Sequence, residues 1–397
     1  MMKTCLSPNG RSESHSDAPA LELFVATIRG LRKFERAAIN APWVETMRAI
    51  EERHISALLV DDASGLMFAG LHGRGEEGGL LVSRDGGATF ELSTNGMVHT
   101  HVYTIAAQQR DGKTLLYAGV EPPALYRSDD LGANWHELAG IRDVPGTEKW
   151  TFPPPPHIAH VKNLAFHPRN PDIIYAAIEQ GAVLKSEDNG QTWRELDSYS
   201  SDADSFYRDI HRIKIASGNP DHVHLTTGDG VYASDDAGEH WTHQQGRDGR
   251  VGYPDGLFID PRNESTIYVG GAGDAPETWR VQGGSLAGFI VSHDRGTTWE
   301  ERMVGLPSPV YGNLEAFAMH SYGDQIAFYA GSATGEVYGS EDAGLTWQLI
   351  AEGLPPISKA RHYRHFLSAE DKFALEEKGR EERRAEGVAD KDYKTVA

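Results

Sequence analysis

An eight-residue pattern, S-x-D-x-G-x-T-W with close variants, occurs six times and constrains the fold of this chain more than any other feature. The copies are S-R-D-G-G-A-T-F from Ser83, S-D-D-L-G-A-N-W from Ser128, S-E-D-N-G-Q-T-W from Ser186, S-D-D-A-G-E-H-W from Ser234, S-H-D-R-G-T-T-W from Ser292 and S-E-D-A-G-L-T-W from Ser340. Successive copies start 45 to 58 residues apart. A repeat of that length holds one supersecondary unit, which must stack on its neighbours to bury its apolar face. Four short strands fit the spacing and predict the blades of an all-β propeller. The glycine of each copy supplies the positive φ of a hairpin between third and fourth strands, and the Ser and Asp side chains satisfy its amides. Phe90, Trp135, Trp193, Trp241, Trp299 and Trp347 are expected to pack beside those hairpins. One aspartate per blade, scattered around a rim, reads as scaffold rather than as a catalytic or calcium site.

Two strand-like runs precede each copy. In one unit they are H-V-K-N-L-A-F and D-I-I-Y-A-A-I, joined by H-P-R-N-P. Equivalent first strands begin at His54, His101, His211, Tyr253 and Asn313, so six complete units run from about residue 54 to 351. Residues 21–48 supply three further strands without a first, and H-Y-R-H-F-L at 362–367 is the expected missing strand. Seven blades follow, closed by strands from both termini so that no sheet edge is left open, with six blades as the alternative. Residues 1–20 are polar and read as a disordered leader, residues 21–367 as one propeller domain, and the charged stretch 368–397 as a helical or disordered tail.

The repeated S-x-D-x-G-x-T-W resembles the Asp-box of BNR-type β-propellers. The opening V-A-T-I-R-G-L and the stretch Y-A-G-V-E-P-P-A-L-Y-R-S-D-D at 117–130 are similar to bacterial BNR-repeat proteins described as glycosyl hydrolase or exo-α-sialidase-like. The resemblance implies the propeller fold, but it follows the repeats and not a catalytic constellation.

Composition narrows the function classes. A formal net charge of −20 disfavours nucleic acid and anionic membranes as partners. Cys5 is the only cysteine, which precludes an intrachain disulfide and fits a reducing compartment. With no apolar run of signal-peptide or bilayer-spanning length, a cytoplasmic protein is expected.

Aligned first strands place His54, His101, His160, His211, Tyr253, Asn313 and His362 at one position, the mouth of the central channel. Neutral imidazoles converging from several blades suit a divalent transition metal such as Fe, Cu, Mn or Zn, with His54, His101, His160, His211 and His362 as its ligands. The alternatives are a metal-free polar pocket and purely structural histidines. Two residues further on, Tyr103, Lys162, Asp255, Glu315 and Arg364 share the same side of their strands and are the candidate acid, base or anion-binding groups. The long loops open on the same face, and Trp150 and Trp279 lie in them. With Tyr253 and Asn313 they form the candidate substrate-binding set.

Three functions compete. The first is a metal-dependent enzyme acting on a small molecule, either an oxidoreductase or a lyase or hydrolase. The second is a sialidase-like glycoside hydrolase, which needs an arginine triad and whose F/Y-R-I-P motif is absent before the first copy; Arg29, Arg32 and Lys33 make that region basic without forming the motif. The third is a non-catalytic binding or assembly propeller, like the Asp-box factors that aid photosystem assembly.

Overall fold

A computed structural model describes residues 3–152, 157–197, 208–374 and 377. Its strands form seven sheets, one per blade, in a seven-bladed β-propeller; six sheets have four strands and the last has five. Blades 2 to 7 have innermost strands Ile55–Val60, His101–Arg110, His160–Phe166, Ile210–Ile215, Tyr253–Asp260 and Leu314–Tyr322. Blade 1 is built from Glu22–Thr27, Gly30–Glu35 and Val44–Ala49 around a different innermost strand, β1 (Lys3–Leu6), which runs parallel to its neighbour. A second short strand, β2 (Glu13–Ser16), pairs in parallel with the innermost strand of blade 7. We call the face on which strands of blades 2 to 7 begin the upper face.

The six repeated hairpins lie on the lower face and hold themselves together locally. In the first, Ser83 Oγ donates to Asp85 Oδ1 at 2.8 Å and accepts the Gly87 amide at 2.8 Å, while the Thr89 amide and hydroxyl both donate to Asp85. The last repeats the arrangement with Ser340, Asp342, Gly344 and Thr346. The glycine has φ of 97° at Gly87 and 84° at Gly344, a conformation that other residues adopt only at a cost. Two of the box tryptophans clasp the preceding blade: Trp135 Nε1 donates to Ser93 Oγ and Trp347 Nε1 to the Arg302 carbonyl.

Blade faces pack through aromatic and branched side chains, and Phe258, Phe289, Phe317, Phe328 and Trp347 fill the gap between blades 6 and 7. Second-strand glycines make room for the next blade. A Cβ at Gly119 would come within 2.7 Å of Val161, and one at Gly270 within 2.4 Å of Phe317.

The termini depart from the sequence expectation. Residues 1–20 are not a free leader over the described part, because β1 completes blade 1 and the chain then turns back along the channel wall. The Asn9 and Arg11 amides donate to carbonyls of Ser56 and Leu58, the close approach being possible because Gly10 lacks a Cβ. From the opposite wall, buried Arg212 donates to the Pro8 carbonyl and to Asn9 Oδ1. An N-terminal strand that satisfies the open edge from inside leaves no place for one at the C-terminus, and His362–His365 is a 3-10 turn lying over the upper mouth. Most of the stretch 368–397 expected as a tail lies outside the described residues, and no described helix is long and apolar enough to cross a membrane.

Candidate functional site

Six innermost strands share a β-bulge near their start, and this irregularity sets the geometry of the axis. Ser56, Tyr103, Lys162, His211, Asp255 and Glu315 are the residues skipped in the pairing of blades 2 to 7. A bulge re-aims a side chain out of the regular pleat, and all six are buried, at most 2% exposed. The shared bulge corrects one alignment. His211 is the blade 5 counterpart of Lys162 and Asp255, while Asp209 stands where the other blades place His101, His160 and Tyr253. The register slip arose because Asp209 and His211 both fit the period-two pattern of that strand.

The predicted ring therefore does not converge on one point. His54 Nε2 lies 2.7 Å from the Ser358 carbonyl oxygen, and His101 Nε2 lies 3.0 Å from Nδ1 of His72. The Tyr103 ring separates His101 from His160, stacking on the latter at 3.4 Å between centroids. His160 Nε2 is 2.5 Å from Glu179 Oε2, His211 Nδ1 is 2.6 Å from the Pro254 carbonyl oxygen, and His362 Nδ1 is 3.0 Å from Glu315. Among the described residues, only Glu179, Asp209 and His211 bring three potential ligand atoms within 4.8 Å of one another. Lys162 pairs directly with Glu179, and Lys359 Nζ lies 3.8 Å from it, so ammonium groups already balance the Glu179 carboxylate. The five histidines do not fit a shared axial metal.

The axis is instead a closed network of paired charges. Lys359, on the segment that crosses the upper mouth, pairs with Asp255, and its backbone amide and the Ser358 hydroxyl donate to Glu315. Tyr253 donates to Asp209 at 2.7 Å, Asn313 to Asp255 at 3.1 Å, and Tyr103 to Glu121 at 3.4 Å. Burial alone would raise the Glu179 carboxyl, but Lys162 and Lys359 hold it well below the usual range. Burial lowers the Lys162 ammonium to about 8 despite its carboxylate partner, and lowers the His54 imidazole to about 4. Sequence reasoning missed Glu121, Glu179 and Lys359. The first two had a signal, since Y-A-G-V-E and Y-A-A-I-E place glutamates at the same end of two apolar second strands.

Of the remaining candidates, Arg364 lies in the capping turn, away from the bulge positions. Trp279 is not an exposed loop residue: its ring is buried under the same turn, stacked on Phe366 at 5.4 Å, and its Nε1 donates to the Asp274 carbonyl. Trp150 is half-buried and lines an upper-face groove of about 310 Å³ with Pro122, Pro123, Arg142, His157 and Ile158. This groove, between the loops of blades 3 and 4, is a recess that the channel plug does not fill.

No protein-family model matches the chain. It is 24% identical over 323 residues to the photosystem II assembly lipoprotein Ycf48 of Synechococcus sp. (strain CC9902), covering 74% of this chain and 87% of that one. Among solved structures, an ancestral GH74 enzyme superposes with a TM-score of 0.56 at 17% identity over 72% of this chain, which spans 36% of that enzyme. YCF48 bound to a D1 peptide superposes with a TM-score of 0.51 at 15% identity, over 82% of this chain and 92% of that one. These likenesses overturn the leading expectation. The sequence similarity runs to an assembly lipoprotein, and a YCF48 propeller of the same fold is solved bound to a D1 peptide. With the ring histidines held by carboxylates, carbonyls and His72, the metal-dependent small-molecule enzyme and its small-molecule partner are set aside. The chain is a seven-bladed β-propeller similar to the Ycf48 and GH74 propellers.

Proposed function

We propose that this protein is a binding propeller that holds a segment of a protein partner on its upper face during assembly of a larger complex. The occupied axis carries this reading: the N-terminal segment and the 358–362 segment cross the channel and pair with its buried polar and charged residues. What the scaffold then offers is its upper surface, where the Trp150 groove combines an aromatic wall, two prolines and the Arg142 guanidinium. An aromatic anchor in a recess with a few polar groups at its edge suits a peptide side chain. The likeness to Ycf48 over most of the chain supports the reading. We further read the six repeated hairpins as those of the BNR/Asp-box propellers.

A photo-crosslinking amino acid placed at Thr147, on the groove wall, tests the proposal in cells. The expected result is a discrete protein adduct whose yield falls at least about tenfold in a Trp150→Ala background, as for loss of an aromatic anchor. Adduct formation unchanged by Trp150→Ala, or an absence of protein adducts, would overturn it.

A further inference from the structure

The capping turn carries an unusual concentration of positive charge for so acidic a chain. Residues i and i+3 of a 3-10 turn eclipse one another. His362 and His365 accordingly both meet the Trp279 ring, at 5.5 and 5.4 Å. Arg361 and Arg364, also three apart and tied by the Arg364 amide to the Arg361 carbonyl, share the adjacent side. Arg280 follows Trp279 on the short helix Trp279–Gln282 beneath the turn and is exposed. Among the described residues none of these three arginines makes an ion pair, although most of the chain's other arginines do. Nε of Arg364 is buried without a hydrogen-bond partner. Partial desolvation, then Arg364 and, further off, Arg74, lower the Arg361 guanidinium's pKa, which marks mutual repulsion across the turn. The neighbouring carboxylate Asp371 is engaged by Ser368.

Guanidiniums on one turn that repel each other, with no ion pair among the described residues, carry unfavourable charge that a bound carboxylate relieves. Apolar surface adjoins them: Phe366 lies 5.4 Å from the ring of Tyr311, which is 53% exposed. We propose that this cap is a second docking point, one that recognises an acidic, partly apolar segment of a protein partner through Arg280, Arg361 and Arg364. A long polyanion is disfavoured, because the net charge of −20 repels it beyond the patch. The inference rests on the binding-propeller reading but concerns a surface distinct from the Trp150 groove.

Fluorescence anisotropy with a labelled ten-residue peptide of alternating Glu and Leu, in low salt, tests it. The expected result is binding that weakens with salt and falls at least about tenfold in Arg361→Glu/Arg364→Glu, as charge reversal at a contact predicts. Lys113→Glu, on the opposite face, should bind as the unmodified protein does. Arg361→Gln/Arg364→Gln gives the same comparison should the reversal lower the melting temperature. Equal binding by the Gln variant, equal binding of a Gln/Leu peptide, or tighter binding of a labelled oligouridylate would each overturn the proposal. Failure here with Trp150-dependent crosslinking intact would leave the groove reading standing, and the converse pattern would separate them the other way.

Discussion

Carboxylates at the lower rim and at the axis are held in contrasting ways. Asp85 stands in solvent, and all four of its hydrogen-bond donors lie within four residues of it. Bonds from Thr89, foremost its hydroxyl, hold it at about 2. Asp255 is buried, and its partners Asn313 and Lys359 come from 58 and 104 residues away. Burial would raise its pKa, but Lys359, His211 and Lys162 hold it low. The Ser–Asp bonds of the rim stabilise each hairpin locally, mostly with neutral donors. The axis ties blades and termini together with charges that are costly if left unpaired.

The contrast would break most visibly at the termini. Deleting residues 1–17 removes β1, β2 and the acceptors of Arg212, and is expected to leave no folded monomer by circular dichroism and gel filtration. A cooperative melt within about 5 °C of the full chain, roughly 4 kcal/mol at this size, would show that the axis does not depend on the N-terminal segment. Lys359→Met leaves Asp255 and Glu179 undercompensated and should cost roughly 3–5 kcal/mol in urea unfolding. Adding Asp255→Asn should recover part of that loss. A deficit under about 1 kcal/mol would place Lys359 with ordinary surface pairs.

Acid should separate the regions in sequence. Burial depresses the His54 imidazole to about 4, as it does His365, so both are neutral in the fold at pH 7. The unfolded chain binds those protons first, so stability is lost as pH falls from about 6.5 through about 4. Rim aspartates such as Asp85 and Asp294 are depressed to about 2, so their contribution, present above the unfolded value, is lost only as pH falls through that lower range. A melting temperature flat from pH 7 to 4.5 would contradict the order. The smallest effect is expected at one hairpin: Ser340→Ala removes a buried hydroxyl bonded to Asp342 and Gly344 and should cost about 1 kcal/mol.

The same contrast explains what was legible in the sequence. Rim hairpins satisfy themselves within eight residues, so each copy carries its whole explanation and the propeller follows from the spacing. Seven blades were readable as well, but the strand completing blade 1 was sought at 362–367 because residues 1–20 lack the apolar run of a buried strand; only Cys5 and Leu6 mark β1. The axial side chains were largely located, Tyr103, Lys162, Asp255 and Glu315 among them. Their chemistry was misread because a histidine's partner lies on another blade or on the cap, and one bulge shifted His211 relative to its counterparts. Nothing in K-A-R-H-Y-R-H announces that Lys359 turns inward while Arg361 turns out.

Pairing of β2 with the innermost strand of blade 7 joins residues about 306 positions apart, Glu13 with Met319 and Ser16 with Tyr322. During synthesis β2 thus waits for a partner strand made about 300 residues later. A chain released early, lacking blade 7, keeps β2 as an unpaired edge and cannot seat Lys359, so incomplete copies carry a hydrogen-bonding edge and unneutralised buried acids. The fold in this way distinguishes chains that carry blade 7 from chains that lack it, and the expected fate of the latter is aggregation or proteolysis instead of a defective propeller.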